Sequence, residues 1–173
     1  PKHPVTELCP QTVRLQESFR RVTFRKAGVL GDDMLAQELQ EHSQVLCIVN
    51  SRKAAQRIFE RLPQEGSFHL STLMIPVQRQ KILEEIRERL KAGLPCRVVS
   101  TSLIEAGVDV DFPAVYREMA GLDSILQAAG RCNREGKRSA DESIVTIFER
   151  EELPPMLLRT AIGAAREAMD GGR

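Results

Sequence analysis

Residues Gln127-Ala128-Ala129-Gly130-Arg131-Cys132-Asn133-Arg134 carry the most pointed chemistry in the sequence. On a continuous helix, Gln127, Arg131 and Arg134 stand at i, i+4 and i+7, hence on one face. Gly130 would leave that helix thin, so that a ligand or another backbone can come close. Two guanidiniums and an amide on one face suit a polyanion, because Arg presents a rigid fork to phosphate oxygens. Two arginines alone would more simply be a solvated basic face. The full QxxGRxxR spacing arises by chance in fewer than about one in a hundred chains of this size at average residue usage.

Two further segments offer complementary groups. In Ser100-Thr101-Ser102-Leu103-Ile104-Glu105-Ala106-Gly107-Val108-Asp109-Val110-Asp111, a hydroxyl cluster follows an apolar run and leads into Gly-x-Asp. Hydroxyls at a strand end can hold a phosphate. Gly107 permits a tight bend, and Asp109 could accept from a ribose hydroxyl or from Arg131. The plainer reading is a turn with a capping Asp. In Asn50-Ser51-Arg52 the chain passes from an apolar run into a helical pattern. The free amides and dipole of a helix N-terminus make such a turn a potential phosphate seat. Simple capping by Ser51 is the alternative.

The elements that position these groups can be read from periodicity. Val45–Val49 and Arg97–Ser100 are apolar runs of strand length, as expected where a sheet is covered on both faces. Further strands are expected near 19–25, 69–73, 114–116 and 143–148. A helix capped by Asp32 or Asp33 carries Leu35 and Leu39. Another, capped by Ser51, carries Ala55, Ile58, Phe59 and Leu62. Over 77–91, Ile82, Ile86 and Leu90 recur at i+4 opposite charged residues, and Gly93 closes the helix. A fourth helix starts at Asp123 or Ser124 and runs to about Arg131. A fifth is opened by Pro154 or Pro155. Strand and helix alternate through short links, so the fold class is α/β, three layers around a mainly parallel sheet. Ligand sites in such folds lie at the carboxyl ends of the strands, and all three segments are expected together at that edge. One domain is expected over 1–173, with a leading strap at 1–11 and a C-terminal helix and tail at 152–173.

Composition narrows the class. With 173 residues, 42% of them apolar and 28% charged, the chain can bury a sizeable core and is no disordered tail. A net charge of +1 excludes binding through a bulk basic field, and an aromatic content of 4% leaves little surface for stacking bases. The charges are nevertheless segregated. Arg14, Arg20, Arg21, Arg25 and Lys26 cluster near the start, and Asp141, Glu142, Glu149, Glu151 and Glu152 near the end. The cysteines (Cys9, Cys47, Cys96, Cys132) and histidines (His3, His42, His69) lack metal-ligand spacing, so no metal site is expected. No apolar run has the roughly 18 residues of a membrane span. The start, Pro1-Lys2-His3-Pro4, has no signal-peptide profile and no initiator Met. This is compatible with a trimmed protein or with a piece of a longer one. A reduced, cytoplasmic setting is expected.

The three segments resemble motifs IV, V and VI of superfamily 2 helicases, in order and with suitable spacing. Ser100 to Phe112, followed by Gly121 to Gly136, closely resembles the CRISPR-associated helicase-nuclease of type I interference systems. His69-Leu70-Ser71-Thr72-Leu73-Met74 with Pro76 and Arg79 is similar to another segment of that family, although Leu73 stands where many relatives have Arg. The resemblance implies the second RecA-like lobe of an ATP-driven 3′-to-5′ single-stranded DNA translocase joined to a metal-dependent nuclease. It implies Arg134 as the arginine finger, Arg131 as a second phosphate contact and Gln127 as the leading polar residue of the motif. Gly107 and Asp109 would meet the nucleotide, and Ser51, Arg52, Thr72 and Thr101 the DNA backbone. No GxxxxGK[ST] phosphate loop, acidic Walker-B strand ending or His-Asp nuclease pair occurs in the chain. The partners implied are therefore a first RecA-like lobe holding ATP and Mg2+, an HD-type nuclease domain, single-stranded DNA and a guide-RNA surveillance complex. The alternatives are a lobe of another superfamily 2 DNA or RNA helicase, or a non-catalytic nucleic-acid-binding module.

Overall fold

A computed structural model describes residues 21–71, 73–101 and 109–170. The expected strap at 1–11, Thr72 and Gly107 lie outside them. Among the described residues, six strands, β1 (Thr23–Val29), β2 (Gln44–Ile48), β3 (Ser67–Leu70), β4 (Cys96–Ser100), β5 (Ala114–Glu118) and β6 (Ile144–Glu149), form one sheet in the order β1-β6-β5-β2-β4-β3. Every neighbouring pair is parallel. Five helices accompany them: α1 (Asp32–Glu41), α2 (Arg52–Phe59), α3 (Pro76–Ala92), α4 (Leu122–Ala129) and α5 (Met156–Asp170).

The alternation of side chains along β2 explains the three layers. Val45, Cys47 and Val49 point to the face where Leu35 and Leu39 of α1 and Ala54, Ala55 and Ile58 of α2 pack. Leu46 and Ile48 point to the other face, against Leu83 and Ile86 of α3, Ile125 and Ala128 of α4, and Ile162 and Ala165 of α5. Both faces are covered, which is why β2 and β4 read as unbroken apolar runs. Each residue of β5 is buried as well, including Arg117 and Glu118.

Several boundaries differ from those expected of the sequence. β1 runs Thr23–Val29, past the end expected at 25, and the start expected at 19 lies outside the described residues. It is an edge strand with Phe24 and Val29 exposed, so little alternation marks its limits. Gly31, not an aspartate, is the N-cap of α1, and Asp32 and Asp33 occupy its first turn, where they favour the helix dipole. In α3 the buried pair is Leu83 and Ile86, with Ile82 and Leu90 only partly covered. Gly93 closes that helix in the left-handed conformation, φ 68°, as its type allows.

Two corrections bear on the site. α4 ends at Ala129, with Gly130 as its C-cap. Arg131 and Arg134 therefore lie beyond the helix, and no single helical face joins them to Gln127. The arginines also do not share the sheet edge of Asn50–Arg52 and Thr101; the Asp109–Asp111 end of the second segment is the part that meets them. A parallel bridge pairs Cys132 with Phe112, just ahead of β5. The Nη1 of Arg21, just ahead of β1, donates to the Arg134 carbonyl at 3.0 Å. The arginine turn thus sits at the amino ends of the strands, while Asn50–Arg52 and Thr101 follow their carboxyl ends. The reason is geometric: α4 leaves β5 at its carboxyl end and runs back antiparallel to it, which delivers its last residues to the opposite edge.

Candidate nucleotide and nucleic-acid site

At the carboxyl edge, β2 and β4 are neighbours, and the Val49 N–H donates to the Ser100 carbonyl at 2.9 Å. The turn that follows β2 is anchored by Asn50. Its backbone N–H donates to Glu118 Oε2 at 2.7 Å, its Nδ2 donates to the Met119 carbonyl at 2.9 Å, and its Oδ1 accepts from Arg117 Nη1 at 2.8 Å. Ser51 then caps α2: its Oγ accepts from the Ala54 N–H at 3.1 Å. That bond uses a lone pair and leaves the hydroxyl proton for an outside acceptor. Arg52 is exposed beside it. Thr101 is different: it is only 6% exposed, and its Oγ1 has no partner among the described residues. The hydroxyl that the resemblance offers to the DNA backbone is buried in this arrangement.

Glu118 carries no sequence signal of its own: the strand expected at 114–116 runs on to it, and it closes that strand buried. Burial, the largest influence, raises its pKa, opposed by the Asn50 N–H and by Arg150 and Arg117. It belongs to a polar group at the carboxyl ends of β5 and β6. There Arg150, its side chain 6% exposed, pairs with Asp32, which also accepts from Arg57 Nε at 2.8 Å.

At the amino edge, the segment arriving from β4 meets the arginine turn. Arg134 Nη1 lies 3.2 Å from Asp109 Oδ1. The Arg134 backbone N–H donates to Asp111 Oδ1 at 2.8 Å, and Asp111 Oδ2 lies 3.3 Å from Arg138 Nη1. The Arg131 carbonyl accepts from the Phe112 N–H at 2.9 Å. The carboxylate that the sequence offers to Arg131 or to a ribose is engaged with Arg134. Gln127 is exposed on α4, half a turn before its end. An open cavity of about 510 Å3 lies alongside, lined by Arg87, Lys91, Asp109, Asp111, Lys137 and Arg138 among others. Exposed guanidiniums held by carboxylates can exchange those carboxylates for phosphate oxygens at little cost.

Among the described residues, no group of three His, Cys, Asp or Glu side chains is arranged to hold a metal ion. Cys47, Cys96 and Cys132 are buried free thiols. Burial pushes those of Cys96 and Cys132 up to about 12, and the Cys47 thiol higher still, so all three are inert at neutral pH. No helix among the described residues is long and apolar enough to cross a membrane.

Comparison with known proteins places this arrangement. In the curated collection, the chain is 40% identical over 80 residues to the CRISPR-associated nuclease/helicase Cas3 of Haloferax volcanii, a stretch covering 44% of this chain and 8% of that protein. It is 34% identical over 122 residues to the protein of the same description from Methanothermobacter thermautotrophicus, covering 67% of this chain and 15% of that one. Among solved structures, T. fusca Cas3 with ATP superposes with a TM-score of 0.64 at 18% identity, covering 94% of this chain and 21% of that one. A structure described as a CRISPR RNA-guided surveillance complex, pre-nicking, gives 0.67 at 19% identity, covering 88% and 22%. The fold is thus the RecA-like one expected, and the chain spans a small fraction of each relative's length. The sequence model described as CRISPR-associated nuclease/helicase Cas3, C-terminal, matches residues 41–137. That match takes in the Ser51 turn, Thr101, Asp109 and both arginines, and the chain accordingly belongs to the family of Cas3 C-terminal domains.

Proposed function

We propose that this chain is the C-terminal helicase lobe of an ATP-dependent 3′-to-5′ single-stranded DNA translocase acting in CRISPR interference. The observation that carries the reading is the division of the candidate residues between the two ends of one sheet. Ser51, Arg52 and Thr101 follow the carboxyl ends of β2 and β4, and Asp109, Arg131 and Arg134 gather at the amino ends. In sequence, the stretch between Thr101 and Asp109 joins the two groups covalently. A motor needs two such sites and a link between them.

In this reading, Ser51, Arg52 and Thr72 grip the phosphates of one strand, and the buried Thr101 hydroxyl joins them only once it is uncovered. Arg131 and Arg134, with Gln127, Gly107 and Asp109, meet ATP whose phosphates and Mg2+ are held by a first RecA-like lobe. The near-neutral net charge suits a strand held by a few placed contacts and released every cycle. ATP in the T. fusca Cas3 structure and a surveillance complex among the matched structures support ATP and that complex as partners. An HD-type nuclease domain completes the set. A polyphosphate needs a cradle of backbone amides as well as arginines. The chain has no phosphate-loop sequence, so alone it should not turn over ATP. The test is ATP hydrolysis by the purified chain with and without single-stranded DNA, then with a phosphate-loop lobe joined to it. No turnover alone and DNA-stimulated turnover when joined are expected. DNA-stimulated hydrolysis by the chain alone overturns the reading.

A further inference from the structure

Between the two arginines stands Asn133, a residue to which the motif spacing gives no role. It is 1% exposed. Its φ of 50° makes it the one non-glycine in the left-handed region among the described residues. Asn tolerates that region better than most side chains, but glycine tolerates it better still. Something other than backbone freedom must account for an amide here.

The side chain supplies it. Nδ2 donates to the Arg21 carbonyl at 2.8 Å and to the Arg138 carbonyl at 2.7 Å, and Oδ1 accepts from the Arg138 N–H at 3.0 Å. The Asn133 backbone N–H donates to the Phe112 carbonyl at 3.1 Å, and its own carbonyl accepts from the Gly136 N–H at 3.0 Å. One residue therefore ties the turn to the segments that lead into β1, β5 and β6. With Asp111 holding the next backbone N–H, the path from Arg131 to Arg134 is fixed at its middle, and the Arg134 side chain is left exposed at its end.

We infer that Asn133 is a positioning residue for Arg134, setting where its guanidinium can reach. The inference rests on the functional reading above. A misplacement of about 1 Å in such a group can cost on the order of 10²-fold in rate.

The test uses this chain joined to a phosphate-loop lobe, with Asn133→Gly, which keeps the backbone conformation and deletes the clamp. The expected result is a kcat for ATP lower by about 10²-fold, with half-saturation by nucleotide and by single-stranded DNA within about twofold. In the double variant with Arg134→Ala, turnover should be no lower than in Arg134→Ala alone, because Asn133 acts through that arginine. Unchanged kcat in Asn133→Gly, or a fully additive double variant, overturns the inference while leaving the arginine reading in place. Full turnover in Arg134→Ala overturns the arginine reading itself. If Asn133→Gly fails to melt cooperatively, Asn133→Ser, which deletes the amide without burying a charge, takes its place. Failure of both to fold makes Asn133 a folding residue and sinks the positioning role.

Discussion

Arg134 and Asp109 meet at 3.2 Å as an ion pair between two exposed side chains, 44% and 79% open to solvent. The pair joins the last arginine of one motif to the carboxylate of another, at the amino edge of the sheet. Such pairs contribute about 0–1 kcal/mol, since water screens the attraction and two long side chains lose freedom. Asp109→Asn should therefore change the unfolding free energy of this chain by less than about 1 kcal/mol. Urea titration checks it. A loss of several kcal/mol would mark Asp109 as structural and would weaken its assignment to a nucleotide.

Ser51 has two separable roles. As the N-cap of α2 it accepts from the Ala54 N–H, and loss of a hydroxyl cap typically costs about 1 kcal/mol, while glycine costs only a few tenths. Ser51→Ala should lower the stability of this chain by about that amount, and Ser51→Gly by less. If the hydroxyl proton also serves a phosphate, both variants should weaken single-strand binding by the two-lobed protein equally, although their stabilities differ. DNA affinity that follows stability from one variant to the other would leave Ser51 as a cap alone.

Most of this architecture is legible in the residue pattern. Val45–Val49 announces a doubly covered strand because both faces need apolar side chains, and Ser51 announces a helix start because only a few side chains cap one. The same pattern misplaces Arg131 and Arg134. Period 3.6 continues past Gly130 on paper, but the helix stops there, and periodicity carries no record of which sheet edge a chain has reached. Glu118 and Asn133 are illegible for a related reason. Their roles come from partners far away in sequence, Asn50 and Arg21 respectively, and nothing local marks a polar side chain that a distant segment will bury.

The Asp32 carboxylate holds two guanidiniums, that of Arg150, which is nearly buried, and that of Arg57, which is one-third exposed. Arg150 Nε and Nη1 are themselves buried without hydrogen-bond partners among the described residues, so Asp32 is its main compensation. Removing one member of a buried pair is costly because the other charge stays behind. Asp32→Asn should destabilise this chain by about 3 kcal/mol, whereas Arg57→Ala should cost under about 1 kcal/mol. Denaturant melts compare them, and equal effects would show that Arg150 is solvated well enough to stand alone.

His69 sets a pH dependence whose sign can be worked out. Its ring stacks on Phe59 at 5.6 Å, and its Nε2 is buried without a partner among the described residues. Burial holds its pKa below the ordinary 6.5, because the charged ring cannot be solvated there. Above that value the ring is neutral in both folded and unfolded chains and contributes no slope. As pH falls below 6.5, the unfolded chain takes up a proton that the folded one refuses, so stability is lost. His42 is depressed in the same direction, mainly by burial, and adds to the trend. His69→Phe keeps an aromatic ring against Phe59 and removes both the titrating group and the orphaned nitrogen. The urea midpoint of the variant minus that of the parent should therefore hold level from pH 8 to about 6.5 and grow from there to pH 5. A difference that stays constant over that range would mean that His69 takes up its proton as readily in the folded chain as in the unfolded one.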